Sequence, residues 1–104
     1  MVSHPPYKIV LHKEVLSHDS LHFDTKTKER IKKKCIELLS HEPDKVGEFL
    51  HDDLHPYRKL KIFDEYRIIY KVSPAEAKVF ILAIGIRRNE EVYKQALKRL
   101  RNNE

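Results

Sequence analysis

A single cysteine, Cys35, excludes an internal disulfide and fits a reducing compartment. Cys35 sits on the apolar face of a predicted helix, where a small buried filler is the better reading than a nucleophile. The chain has little else that would mark export or a membrane. The stretch from Met1 to Pro6 lacks the apolar run of a signal peptide. The longest apolar stretch, Val79 to Ile84 followed by Gly85 and Ile86, is far too short to span a bilayer. There is no internal repeat, no low-complexity tract and no linker. One domain over residues 1–104, in the cytoplasm, is therefore expected.

Charge is abundant. Charged residues make up 36% of the 104 residues and hydrophobic ones 40%, with a formal net charge of +5. Such a chain should fold, and its pI of about 9.3 suits either a polyanionic partner or an ordinary charged surface.

Tyr7 to His12 is β-rich and follows two prolines, which predicts a first strand. Residues 13–23 are polar and carry no clear pattern. From Asp24 the period becomes helical: Ile31, Cys35, Leu38 and Leu39 form one stripe, with Asp24 or Thr25 as cap and Pro43 as stop. Asp44 to His55 admits a short helical turn. Three strands follow, at Arg58 to Phe63, Tyr66 to Val72 and Lys78 to Ile86, joined by turns short enough to force antiparallel pairing. The last is apolar on both faces, as a covered central strand would be. Asn89 caps a final helix with Glu90 and Glu91 in its first turn and Lys94, Lys98, Arg99 and Arg101 towards its end. The expected fold is α+β: an antiparallel sheet of about four strands in the order β-α-α-β-β-β-α, with two N-terminal helices on one face and a C-terminal helix.

Strand alternation places Lys59 and Lys61 on one face, Arg67 with Ile69 and Lys71, and Arg87 in phase with Ala83 and Gly85. Gly85 clears space where a backbone or a ligand can approach. Tyr93 follows in the first turns of the last helix. Consecutive hairpins would bring Lys59, Lys61, Arg67, Arg87 and Tyr93 to one concave surface. Cations with an aromatic are what an RNA backbone and a stacked base require; the same residues also read as solvated charges on an exposed sheet. Seven histidines raise the question of a metal. His51 and His55 have i, i+4 spacing, but no third ligand stands at a clear distance, so no metal site is expected.

The segments Tyr57-Arg58-Lys59-Leu60-Lys61-Ile62, Tyr66-Arg67-Ile68-Ile69-Tyr70-Lys71-Val72, Ile84-Gly85-Ile86-Arg87-Arg88 and Val92-Tyr93 resemble the RelE/ParE superfamily of toxins from toxin–antitoxin modules. The helix from Ile31 to Leu39 with Pro43 beyond it is similar too, so the resemblance covers roughly residues 28–101. Its RelE branch implies ribosome-dependent mRNA cleavage by two strand lysines, two arginines and a tyrosine. Those match Lys59, Lys61, Arg67, Arg87 and Tyr93; a gapless alignment would put Arg58 and Leu60 in place of the lysines. Its ParE branch implies a non-catalytic inhibitor of DNA gyrase on the same fold and usually lacks the full set. Arg58, Lys71, Arg88, Lys94, Lys32 and Lys33 are then the expected further RNA contacts. The implied reaction is attack of the RNA 2′-OH on the adjacent phosphate, without metal or other cofactor. Arg67 and Arg87 suit the phosphate, and Lys61 with Lys59, or Tyr93, the proton transfer. The implied partners are an acidic antitoxin of the RelB kind, the ribosome and mRNA, with no membrane and no DNA contact by the toxin alone.

Overall fold

A computed structural model describes residues 6–87 and 90–102. Its centre is one five-stranded sheet, in the order β1-β5-β4-β3-β2. The strands are β1 Lys8–Leu11, β2 Glu48–Phe49, β3 Arg58–Ile62, β4 Tyr66–Ser73 and β5 Lys78–Ile86. The helices are α1 Lys13–Ser17, α2 Thr25–Leu39 and α3 Glu91–Asn102. The α+β class and the three antiparallel hairpin strands are as expected. Two details differ. The two-residue β2 raises the strand number to five, and β1 runs parallel to β5, so the sheet is mixed.

Two helices do share one face with a third apart, but the extra helix is α1, within residues 13–23. The segment 44–55 forms turns, β2 and a 3₁₀ turn at Asp52–Leu54. Asp24 caps α2, accepting the Thr27 amide at 2.7 Å. Asn89 and Arg88 lie outside the described residues.

The sheet separates two cores. Val15, Ile31, Cys35 and Leu39 pack with Leu60, Ile62, Ile68, Tyr70, Val79 and Ile81 on the α1/α2 face. Leu54, Ile69, Leu82, Ala83, Val92 and Ala96 fill the α3 face. β5 changes phase between them. Ile69 pairs with Ala83 but Tyr70 with Ile81, which leaves Leu82 as a bulge. Leu82 and Ala83 therefore both serve the α3 core, and beyond the bulge Ile84 returns to the α2 side.

The bulge also lies beyond the end of β1, whose pairing with β5 stops at Leu11 and Ile81. The side chains of Asp19 and Arg99 supply what β1 does not. Asp19 accepts the Ile84 amide at 2.8 Å, and Arg99 donates to the Leu82 carbonyl at 2.9 Å. The two side chains form a two-pronged ion pair of 2.8 and 2.6 Å, at 4% and 1% exposure. Burial pushes the Asp19 carboxyl upward, but hydrogen bonds from Arg99, Ile84 and His18 overcome it and leave its pKa below the usual value. Arg99 is thus a buried latch between α3 and the rest of the fold, not part of a basic helix surface.

Candidate RNA-binding face

The face of the sheet under α3 carries the cations. β3 and β4 join through a three-residue turn, Phe63 to Glu65, with Phe63 and Asp64 in the left-handed region. The register that follows puts Lys61 opposite Arg67, and Arg67 opposite Gly85. Lys59 stands opposite Ile69, itself opposite Ala83. Since Ile69 and Ala83 belong to the α3 core, Lys59, Lys61, Arg67 and Lys71 all leave the sheet on that side. Arg58 and Leu60 do not. Leu60 is in the α2 core, and Arg58 lies across the Phe49 ring, 3.8 Å from its centroid. The gapless alternative would therefore turn its two positions away from Arg67.

Tyr93, half-buried on α3, reaches the same face. Burial pushes its phenol above the ordinary value; Arg67 is near enough to pull it back, and Glu90 and Glu48 push it up further. The net direction is upward, opposite to what a tyrosine base at neutral pH needs. Burial outweighs the neighbouring Arg67 cation, which counts against the proton-transfer role that the family resemblance allowed Tyr93.

Gly85 serves the helix. A Cβ there would lie 2.6 Å from the Cβ of Val92. The space it clears is occupied by α3 itself, which brings Tyr93 down onto the strands. Arg87 leaves β5 at the rim. It donates to an Asp64 carboxylate oxygen at 2.9 Å, and both side chains are exposed. One guanidinium nitrogen of Arg87 thus carries the whole ion pair with Asp64.

Lys71 stays on the α3 face, 5.7 Å from the centre of the Tyr57 ring. Lys94 is exposed on α3. Lys32 and Lys33 belong to α2, across the sheet from Arg67. Lys32 instead rims an apolar groove that includes Ile9, Leu11, Leu16, Phe23 and Ile36. Lys32 and Lys33, expected as further RNA contacts, thus lie on the opposite side of the sheet from Lys59, Lys61 and Arg67. Arg58 is likewise turned away, and Arg88 is outside the described residues.

Among curated proteins, the mRNA interferase toxin RelE of Escherichia coli K12 is 31% identical over 74 residues, covering 70% of this chain and 76% of that protein. The mRNA interferase RelE of Shigella flexneri matches to the same extent. The chain belongs to the RelE toxin family. No protein-family model matches it. Among solved structures, the RelBE2 toxin–antitoxin complex of Mycobacterium tuberculosis aligns with a TM-score of 0.74 at 21% identity, over 84% of this chain and 98% of that one. A mutant of E. coli RelE in the free state aligns with a TM-score of 0.68 at 25% identity, over 91% and 98%.

Within this RelE-family fold, sequence reasoning passed over one charged residue on the α3 face. Glu48 on β2 pairs with Lys59. No local pattern marks it, because β2 is two residues long. Its position is fixed from a distance: the Tyr70 hydroxyl is 2.8 Å from the Pro43 carbonyl oxygen and 2.6 Å from that of Val46. Gly47 completes the approach with φ of 72°, since a Cβ there would meet Tyr70 Oη at 2.7 Å and the Lys59 carbonyl at 2.8 Å.

His51 and His55 flank the 3₁₀ turn rather than one helical face. Among the described residues no group of three or more His, Cys, Asp or Glu could hold a metal ion. No helix among them is long and apolar enough to cross a membrane.

Proposed function

We propose that this chain is the toxin of a toxin–antitoxin module and cleaves mRNA on the ribosome. The observation that carries the reading is the placement of Lys61 directly opposite Arg67, with Lys59 on the same face and Tyr93 over it. Like charges directly opposite each other destabilise a sheet. A violation of that kind is expected where function demands it, and an RNA phosphate resolves the repulsion. The relatives named above are mRNA interferases, which favours the nuclease over the gyrase inhibitor.

In this reading the RNA supplies its own nucleophile, the 2′-OH, so the reaction needs no metal. Arg67, joined by Arg87, holds the phosphate as negative charge builds on it. Lys59 and Lys61 add positive field and a proton for the leaving 5′-oxygen. Tyr93, with its phenol kept protonated, stacks on a base and holds the strand distorted. Orientation of the message by the ribosome supplies the proximity that a small open site lacks.

The partner is an acidic antitoxin. The M. tuberculosis and E. coli neighbours include toxin–antitoxin complexes. Here an apolar groove rimmed by Lys28 and Lys32, with exposed Leu16 and Ile36, suits a segment with apolar anchors and carboxylates. Induction in a bacterial host, with 5′-end mapping of mRNA and a parallel supercoiling assay, tests the function. Cuts within translated codons support it. Blocked supercoiling with intact mRNA would replace it with the gyrase reading.

A further inference from the structure

Lys61 and Arg67 stand directly opposite each other, and Arg87 comes two residues after Gly85, the partner of Arg67. Strand alternation therefore brings a third cation to the same end of the face. A like charge beside two others is driven outward unless an anion holds it. Arg87 is held by the turn between β3 and β4. Its backbone amide donates to the Glu65 carbonyl at 2.6 Å, which extends the ladder between β4 and β5 past Ile86. Its Nη1 donates to the Asp64 carboxylate at 2.9 Å and to the Asp64 carbonyl at 3.4 Å. The ion pair uses Nη1 alone, so the fork of Nε and Nη2 lies outside it. Such a fork is what grips two phosphate oxygens.

The turn that delivers Asp64 is itself strained. Phe63 and Asp64 have φ of 52° and 55°, and the Glu65 amide returns to the Ile62 carbonyl at 3.1 Å. Two consecutive positive φ values belong to a type I′ turn, where asparagine and glycine sit with least strain. A phenylalanine and an aspartate stand there instead. Backbone held in this way clusters at working sites. The other two residues of the turn serve the α2 side: Phe63 packs under the Arg30 guanidinium, 4.6 Å from its ring centre, and Glu65 lies by the Tyr66 phenol. Asp64 is the residue that serves Arg87.

We propose that Asp64 is the positioning residue for Arg87: it holds Nη1 and so presents the fork of Nε and Nη2 to the scissile phosphate. The role rests on the nuclease reading above. Asp64 does not touch the phosphate, which its carboxylate would repel. It offsets part of the charge that gathers at Lys61, Arg67 and Arg87 before a substrate arrives. A phosphate that lands on the fork then meets a guanidinium already oriented, with less rotamer freedom left to lose.

The test is single-turnover cleavage of mRNA on programmed ribosomes. Wild type, Asp64→Gly, Asp64→Asn, Arg87→Ala and the double variant Asp64→Gly with Arg87→Ala are compared, each with its melting curve. Glycine and asparagine both accept a left-handed backbone, so both single variants at Asp64 should melt close to wild type. Asp64→Gly should nevertheless cleave about tenfold or more slowly at saturation, the scale of a misplaced group, with its half-saturating concentration little changed. Asp64→Asn keeps an acceptor for Nη1 without the charge, and its rate should fall between the two. Arg87→Ala should cleave about 100-fold or more slowly, as for the loss of one charge-stabilising donor. Adding Asp64→Gly to Arg87→Ala should then change the rate by less than about twofold, because the pair acts as one unit. An equal loss from Asp64→Gly in both backgrounds, the mark of an effect independent of Arg87, would overturn the role. So would a loss that appears only as weaker ribosome binding, or faster cleavage by Asp64→Gly, which would make Asp64 a lock on Arg87. A wild-type rate for Arg87→Ala would remove Arg87 from the site, and Asp64 with it. Absence of cleavage by the wild type would instead sink the nuclease reading.

Discussion

Replacing Arg99 by methionine removes the cation from a pair in which neither member touches solvent appreciably. Asp19 would keep the Ile84 amide and lose both prongs of the guanidinium, and the Leu82 carbonyl would lose its donor. Breaking a buried pair from one side costs about 3–5 kcal/mol, because the remaining charge has no compensation. For a domain of this size that corresponds to a melting temperature lower by about 12 °C or more.

The pH dependence has a definite sign. In the intact fold the Asp19 pKa lies below its unfolded value. Its contribution is therefore fully present above the unfolded pKa and lost as pH falls through the folded one. Without Arg99, only the hydrogen bonds from Ile84 and His18 still oppose burial, and the Asp19 pKa rises. The gap between variant and wild type should accordingly narrow as the solution is acidified. Urea titrations of both chains, in an Arg67→Ala background that permits expression, would measure it at pH 7 and pH 4.5. The double change Asp19→Leu with Arg99→Met should be less damaging than Arg99→Met alone. A single-variant loss under about 1 kcal/mol, the value typical of an exposed pair, would refute the argument that α3 is latched through a buried charge.

Arg67→Ala and Tyr93→Ala should each abolish growth arrest while leaving the circular-dichroism spectrum and melting curve of the purified chain close to wild type. Arg87→Ala should do the same, since its side chain is exposed and its ion pair with Asp64 lies at the surface. Lys59→Ala and Lys61→Ala should give graded losses in a growth assay, greater when combined. Arg58→Ala should leave toxicity nearly intact, because that guanidinium packs on Phe49; equal loss in Arg58→Ala and the double lysine variant would reverse the assignment of the strand faces. Burial pushes the Cys35 thiol up to about 12, so a thiol reagent at pH 8 should label it only after denaturant is added, as followed by mass spectrometry.

The strands from Arg58 onward were legible because alternation, tight turns and an apolar run each speak about neighbouring residues. The cation face followed from the same alternation. Three things did not follow. The first is the segment 13–23, whose short helix and 3₁₀ turn are held by Asp19 reaching residues far along the chain. The second is β2, held by a tyrosine hydroxyl on β4. The third is Arg99. It falls at i, i+4, i+7 with Val92 and Ala96, all three buried, so the helical period did carry the signal. Its charge drew attention to solvent, and only the buried carboxylate of Asp19 makes its position intelligible. Tyr93 lies in the first turns of the last helix, as its sequence position suggested, but the direction of its pKa depends on burial, which alternation does not report.

The ion pair between Asp19 and Arg99 spans eighty residues, and β1 must wait for Lys78 to Ile81 before it has a neighbour to pair with. Loops of that length close slowly relative to local contacts. A ribosome making this protein therefore emits the N-terminal strand and the Asp19 turn long before either has a mate. The cationic face acquires Tyr93 only with α3, so a chain interrupted at the β5 stage has the cations without the tyrosine above them. The order of synthesis thus acts as a delay: the lysines and Arg67 are made first, and the residue that closes over them arrives together with the arginine that fastens it.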